Sequence, residues 1–201
     1  MKLVLATGNP HKLREFAVLL HPHELLSVPA EVLLPPETGT TFAANALVKA
    51  RTAAAATGLP GVADDSGVEA AALGGRPGVC SARYDGPHAA DEQNLARLVR
   101  EVPAGSVLAY VCALAHVSAD GSERVFEGRC TGRMADTPRG DDGFGYDPIF
   151  LPDDGPPGLT MAELRPAQKD SISHRGRAAR GLLRWLAEGD GAAPTQPHDH
   201  P

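Results

Sequence analysis

The chain has 201 residues, of which 42% are hydrophobic and only 4% aromatic, with a formal net charge of −6. This composition excludes a disordered chain and sets the core to be built from Ala, Val and Leu. A protein that lives on nucleic-acid backbones would carry a basic surface instead, so a small anionic ligand, needing only a local cluster of donors, is the compatible partner. Cys80, Cys112 and Cys130 are odd in number and lack Cys-x-x-Cys spacing. They predict reduced, buried thiols in a cytoplasmic protein rather than a disulfide framework or a zinc site.

Residues 2–7 form a short apolar run, too short for a signal peptide or a membrane span, and predict a first strand. It ends at Thr7-Gly8-Asn9-Pro10. A helix follows from about His11 to Leu20, with Leu13, Phe16, Ala17 and Leu20 spaced to share one buried face. Glu24–Val28 predicts a second strand, and Pro29, Pro35 and Pro36 break what comes after. Thr41 is placed to cap a second helix whose apolar face is Phe42, Ala46, Leu47, Ala50 and Ala54, and Gly58 and Pro60 stop it. Asn45 and Lys49, four apart, share another face of that helix. Gly61-Val62-Ala63 predicts a strand, Asp64-Asp65-Ser66-Gly67 a tight turn, and Val68–Ala72 a further strand. Gly74–Gly78 reads as an ordered loop, and Asp91 as the cap of a helix carrying Leu95, Leu98, Val99 and Val102.

Val107–Val117 is almost wholly apolar, the pattern of a central strand buried on both faces. Asp120-Gly121 turns a hairpin back into Arg124–Thr131. Phe144–Leu151 predicts another strand, Thr160-Met161-Ala162-Glu163 has capping-box spacing, and a last helix runs from about His174 to Glu188, burying Leu182, Leu183 and Leu186. From Gly189 the composition turns to Gly, Ala, Pro, Asp and His, which predicts a disordered tail over 189–201 with His198 and His200 solvated. Alternating strands and helices followed by a long hairpin give an α/β fold, a mixed sheet flanked by helices.

Five segments could carry chemistry. Thr7, Gly8, Asn9, Pro10, His11 and Lys12 follow a strand and open a helix, where backbone N–H groups and the positive dipole end suit a phosphate. Lys12 is a cation in the first turn, a conflict that an anion would remove. Asp64 and Asp65 place two carboxylates side by side, whose repulsion a Mg²⁺ ion would relieve; one of them could also take a proton from water. The same pair equally suits a solvated turn, and Ser66 lacks the Gly-x-Ser-x-Gly setting of a nucleophile. Glu37, after two prolines, could supply a further carboxylate. Gly143-Phe144-Gly145-Tyr146-Asp147 lets backbone approach a flat ligand while Phe144 stacks on it. Lys169 with Ser173-His174-Arg175 puts polar and charged groups at a helix start. Each segment alone suits an ordinary loop, but together they complete a nucleoside triphosphate site.

The same residues carry a resemblance. The stretches Leu5–Asn9 with Lys12, Glu37-Thr38-Gly39, Asn45-Ala46 with Lys49-Ala50, Ala63–Gly67, Leu73–Gly78, Ser81–Tyr84, Gly143–Phe150 and Ser173–Gly176 occur in order across residues 3 to about 187. The chain resembles the non-canonical purine nucleoside triphosphate pyrophosphatases, the inosine/xanthosine triphosphatase or HAM1-like family. Ala44 and Val68 stand where that family often has Glu and Leu.

The resemblance implies a long curved mixed sheet in two lobes over residues 1–188, with substrate in the cleft between them, and a homodimer. It implies cleavage of dITP, ITP, XTP and dXTP to monophosphate and pyrophosphate, with no nucleic acid or membrane as partner. Thr7 through Lys12 and Lys49 would hold the triphosphate. Asp65 would be the general base and, with Glu37, a Mg²⁺ ligand; Asp64 would support them and Ser66 touch substrate. Phe144, Gly145, Tyr146, Asp147, Lys169, His174 and Arg175 would bind base and sugar. The rival readings are a pyrophosphatase for other nucleotides and a non-catalytic nucleotide sensor.

Overall fold

A computed structural model describes residues 1–189; most of the tail expected from Gly189 onward, including His198 and His200, lies outside the described residues. The first strand, β1 (Lys2–Leu5), leads through Asn9 into α1 (Pro10–Leu19) and β2 (Glu24–Ser27). An extended, proline-rich strap over residues 28–41 connects to α2 (Phe42–Thr57), which Thr41 caps by accepting from Ala44 N at 3.1 Å and which ends at Gly58, at φ +67°. Then come β3 (Gly61–Ala70), α3 (Asp91–Glu101), β4 (Val107–Val117), β5 (Glu123–Met134), β6 (Phe150–Pro152), α4 (Pro166–Ile172) and α5 (His174–Ala187). The strands form one mixed sheet in the order β2-β1-β3-β4-β5-β6, parallel across β2, β1 and β3 and antiparallel beyond. The α/β class and the central apolar strand are as the sequence predicts.

Helices α1 and α5 cover one face, over a core that includes Leu3, Leu5, Phe16, Val62, Leu114 and Leu182. Helix α2 covers the other, and its small apolar stripe of Ala46, Ala50 and Ala53 lies close on Val4, Ala63, Ala113 and Ala115. A third core, with Val68, Leu98, Tyr110, Tyr146 and Phe150, fills the far end. Helix α5 approaches β5 so closely that a Cβ on Gly128 would lie 2.0 Å from the His174 carbonyl oxygen.

Several expectations need correction. Asp64-Asp65-Ser66-Gly67 is not a turn: β3 runs unbroken, and Asp64, Asp65, Ser66 and Gly67 pair with Leu114, Ala113, Cys112 and Val111 of β4. Turn-forming residue types are overridden by the long apolar partner strand, which pairs with β3 along its whole length from Gly61 to Ala70. Phe144–Leu151 is not one strand, because Asp147–Ile149 makes a 3₁₀ turn, with Pro148 inside it, before β6. Asp91 is the first helical residue of α3, and the cap interaction there is Ala90 N donating to Gln93 Oε1 at 2.8 Å. Ala17 faces solvent, Cys80 is exposed rather than buried, and α4 was not foreseen.

Side chains alternate across a strand. Val62 and Asp64 therefore face α1 and α5, while Ala63 and Asp65 face α2. The β1 partnership with β3 ends at Leu5 and Val62. Beyond that point the β1-side edge of β3 is open just where the two aspartates lie.

Candidate active site

A cleft of about 680 Å³ opens at that edge. Thr7, Gly8, Asn9 and Lys12 line it from the end of β1 and the start of α1, Glu37 and Lys49 from the strap and α2, and Asp65 and Ser66 from β3. Phe144, Gly145, Tyr146, Asp147, His174 and Arg175 close the other side. Asp64 and Lys169 stand behind the wall, and Pro10 is the first residue of α1. The volume lies within the range of small-molecule sites, which run from about 300 to 1,000 Å³.

The loop from Thr7 to Lys12 departs from expectation. The Asn9 side chain already accepts from His11 N at 2.8 Å and Lys12 N at 3.4 Å, so two of the N–H groups expected to face an anion are capped. The conflict of Lys12 with the helix dipole is resolved internally, since its Nζ lies 2.8 Å from Asp64 Oδ2. The His11 ring does not join the loop: its centroid lies 5.1 Å from that of Phe144.

The two aspartates have opposite environments. Asp64 is fully buried. Burial alone would raise its pKa, but Lys12, then Arg175 and Lys49, hold it well below the usual value. Its Oδ2 also accepts from Ser66 Oγ at 2.9 Å. Asp65 is shifted the other way, raised by burial and by the Glu37 charge against the hydrogen bond from Asn45 Nδ2 at 2.8 Å. Lys49 ties the halves together, donating to Glu37 Oε1 at 2.6 Å and to the Asp64 carbonyl at 2.7 Å. Burial would lower its pKa, but the Asp64 and Glu37 charges raise it.

At the far side, Arg175 is held by Glu15, with Nη1 to Oε2 at 3.1 Å, and donates from Nη2 to Ser66 Oγ at 2.8 Å. Lys169 donates to Glu15 at 2.8 Å and to Asp147 Oδ2 at 2.7 Å. It does not reach the cleft; it fixes the Phe144 loop, whose backbone N–H at 144 donates to the same Asp147 oxygen at 2.9 Å. Both cations also lie near the Phe144 ring, at 4.9 Å for Arg175 and 5.2 Å for Lys169. His174 stacks on Tyr110 at 4.6 Å, and burial, then Arg175 and Lys169, push its pKa well below the usual value, so the ring is neutral. Its Nδ1 is buried without a hydrogen-bond partner, a polar atom that a ligand could satisfy.

Glu37 and Asp65 both line the cleft. No group of three or more His, Cys, Asp or Glu among the described residues could hold a metal unaided. Two carboxylates completed by phosphate oxygens and water are the usual donor set of Mg²⁺, so the residues fit an ion that arrives with its nucleotide.

Sequence reasoning assigned no site role to Asn45, Glu15, Tyr110 or Arg83. Asn45 and Lys49 were recognisable as a polar pair on an apolar helix, and Glu15 lies one turn after Lys12. Tyr110 is hidden in an apolar strand, where nothing local marks it.

A model of the Ham1 family matches residues 3–185. A dITP/XTP pyrophosphatase from Mycolicibacterium paratuberculosis is 57% identical over 152 residues, 74% of each chain. One from Mycobacterium bovis is 48% identical over 94% of this chain and 98% of its own. The solved structure of a HAM1 protein from Coxiella burnetii superposes with a TM-score of 0.81 at 38% identity, covering 94% of this chain and 99% of that one. With the cleft, its paired carboxylates and these matches in hand, the chain belongs to the Ham1 family.

Proposed function

We propose that this protein hydrolyses dITP, ITP, XTP and dXTP to the nucleoside monophosphate and pyrophosphate, clearing them from the nucleotide pool. The observation that carries this reading is Asp65. It is a nearly buried carboxylate in the cleft wall, of raised pKa, held by Asn45 and set between the residues suited to phosphate and Glu37. A raised pKa brings a carboxylate nearer the range in which it can take a proton from water.

Asp65 accepts a proton from a water that attacks the α-phosphorus. The bond from that phosphorus to the α,β-bridging oxygen breaks, and pyrophosphate leaves with the electron pair. Mg²⁺ bound by Glu37 and Asp65 would supply charge neutralisation on the leaving group. Lys12 and Lys49 add fixed positive charge on the same side of the cleft as Glu37 and Asp65. Phe144 lies beside the base, and His174 and Arg175 read its 6-oxo edge. An adenine 6-amino group would leave their donors unpaired, a mismatch worth up to about 10⁴–10⁵ in selectivity. The domain spans residues 1–188 in two lobes, works as a homodimer and resides in the cytoplasm. No helix among the described residues is long and apolar enough to cross a membrane.

The test is pyrophosphate release from ITP, XTP, dITP, GTP, ATP and dUTP, each with and without Mg²⁺. Fast release from the first three alone, dependent on Mg²⁺, is expected. Equal turnover of ATP or dUTP would point to another nucleotide pyrophosphatase, and binding of ITP without release would point to a sensor.

A further inference from the structure

Arg83 has no part in the reading so far, yet its side chain lines the cleft. It ends the 3₁₀ segment Gly78–Arg83. That segment is a firm platform. Ser81 Oγ accepts from Val68 N of β3 at 2.9 Å, and the Ser81 carbonyl accepts from Tyr146 Oη at 2.7 Å. From it the Arg83 guanidinium reaches the strap, donating from Nη2 to the Glu37 carbonyl at 3.3 Å, while Nη1 lies 3.7 Å from Glu37 Oε2.

Glu37 is thus shared by two cations on different elements, Lys49 at 2.6 Å and Arg83 at 3.7 Å. The second contact is the looser, and its side chain is 35% exposed. Such pairs contribute little and break readily. Lys12 is occupied by Asp64, and Arg175 by Glu15 and Ser66. Arg83 is therefore the lining cation most easily released. Its planar fork matches two oxygens of one phosphate group, which a lysine does not.

We propose that Arg83 is a binding residue for the leaving pyrophosphate. The guanidinium exchanges the Glu37 carboxylate, which would then be free to hold a metal ion, for oxygens of the two terminal phosphates. This rests on the function proposed above, because it needs a pyrophosphate product.

The test is binding of inorganic pyrophosphate in the presence of Mg²⁺, by calorimetry, to the wild type, Arg83→Ala and Arg83→Lys, together with product inhibition by pyrophosphate and by IMP. Losing charge-assisted hydrogen bonds is expected to weaken pyrophosphate binding about 10–100-fold in Arg83→Ala. Arg83→Lys should recover part of that loss, and IMP inhibition should stay within about twofold of wild type. Unchanged pyrophosphate affinity in Arg83→Ala would overturn the proposal. So would an equal loss of IMP affinity, which would mean a distorted cleft. A rise only in the Mg²⁺ needed for half-saturation, with pyrophosphate affinity intact at saturating Mg²⁺, would also overturn it, leaving Arg83 a fastener of the strap. Wild-type release of pyrophosphate from ITP is scored separately, and its absence would refute the parent reading instead.

Discussion

Asn45 donates from Nδ2 to Asp65 Oδ2 at 2.8 Å and, with its other amide atom, accepts from Gly39 N at 2.7 Å. One buried side chain on α2 thus sets both the carboxylate proposed as the base and the strap that carries Glu37. Replacing it with Ala leaves two polar groups unpaired. Its hydrogen bond lowers the Asp65 pKa, so its loss raises it further. At fixed Mg²⁺ the acid limb of kcat/KM for ITP should move to higher pH than in the wild type. A limb that stays in place would show that Asn45 does not tune Asp65.

Asp65→Asn keeps the shape of the side chain and removes the base. The kcat for ITP should fall about 10²–10⁴-fold, the usual scale for a positioned base. Steady-state pyrophosphate release checks this, and near-normal kcat would remove Asp65 from the mechanism.

Asp64→Asn should harm the fold more than Asp65→Asn does. Asp64 has no exposed side-chain surface and faces Lys12 and Arg175. Removing one partner of such a buried arrangement costs about 3–5 kcal/mol. Its folded pKa is depressed, so its contribution is present above the ordinary value of 3.8 and is lost as pH falls through the folded pKa. The stability deficit of Asp64→Asn in urea melts should therefore be full at neutral pH and shrink below pH 3.8. Asp65 has the opposite shift, so its ionisation opposes folding. Asp65→Asn should change stability by only about 1 kcal/mol, the size of one ordinary hydrogen bond. Equal deficits in the two variants would contradict this division.

Gly128→Ala would push a methyl group into the His174 carbonyl, 2.0 Å away, and the Ala178 N, 2.7 Å away. The backbone of α5 must retreat from β5, at a cost of about 1–3 kcal/mol for overpacking. Since α5 begins with the two residues proposed to read the base, KM for ITP should rise along with a fall in Tm. A lower Tm with unchanged KM would separate the helix position from base binding.

Much of this was legible in the chain. The apolar run Val107–Val117 announced the central strand, and Thr41 and Gly58 marked both ends of α2, because caps and burial act locally. The Asp64-Asp65 pair was misread as a turn, since its residue types favour turns and the partner strand that holds it extended lies some fifty residues on. That error also misplaced the electrostatics. Strand alternation sends the two carboxylates to opposite faces, and the Lys12 and Lys49 charges act on both. The roles of Glu15 and Asn45 are hidden in the chain for the same reason: each acts through a partner brought near by the fold.

The edge of β3 beyond Val62 has a further consequence. An interior strand left without a neighbour on one side offers its main-chain groups to any extended chain, a hazard that proteins usually cover. Here the cover is made of side chains and a loop instead of a strand. Lys49 takes the Asp64 carbonyl, Ser81 Oγ takes Val68 N, and Ala70 N donates to the Arg76 carbonyl. Little of the edge is left for a stray polypeptide to pair with, while the short stretch at the aspartates stays open to a small molecule.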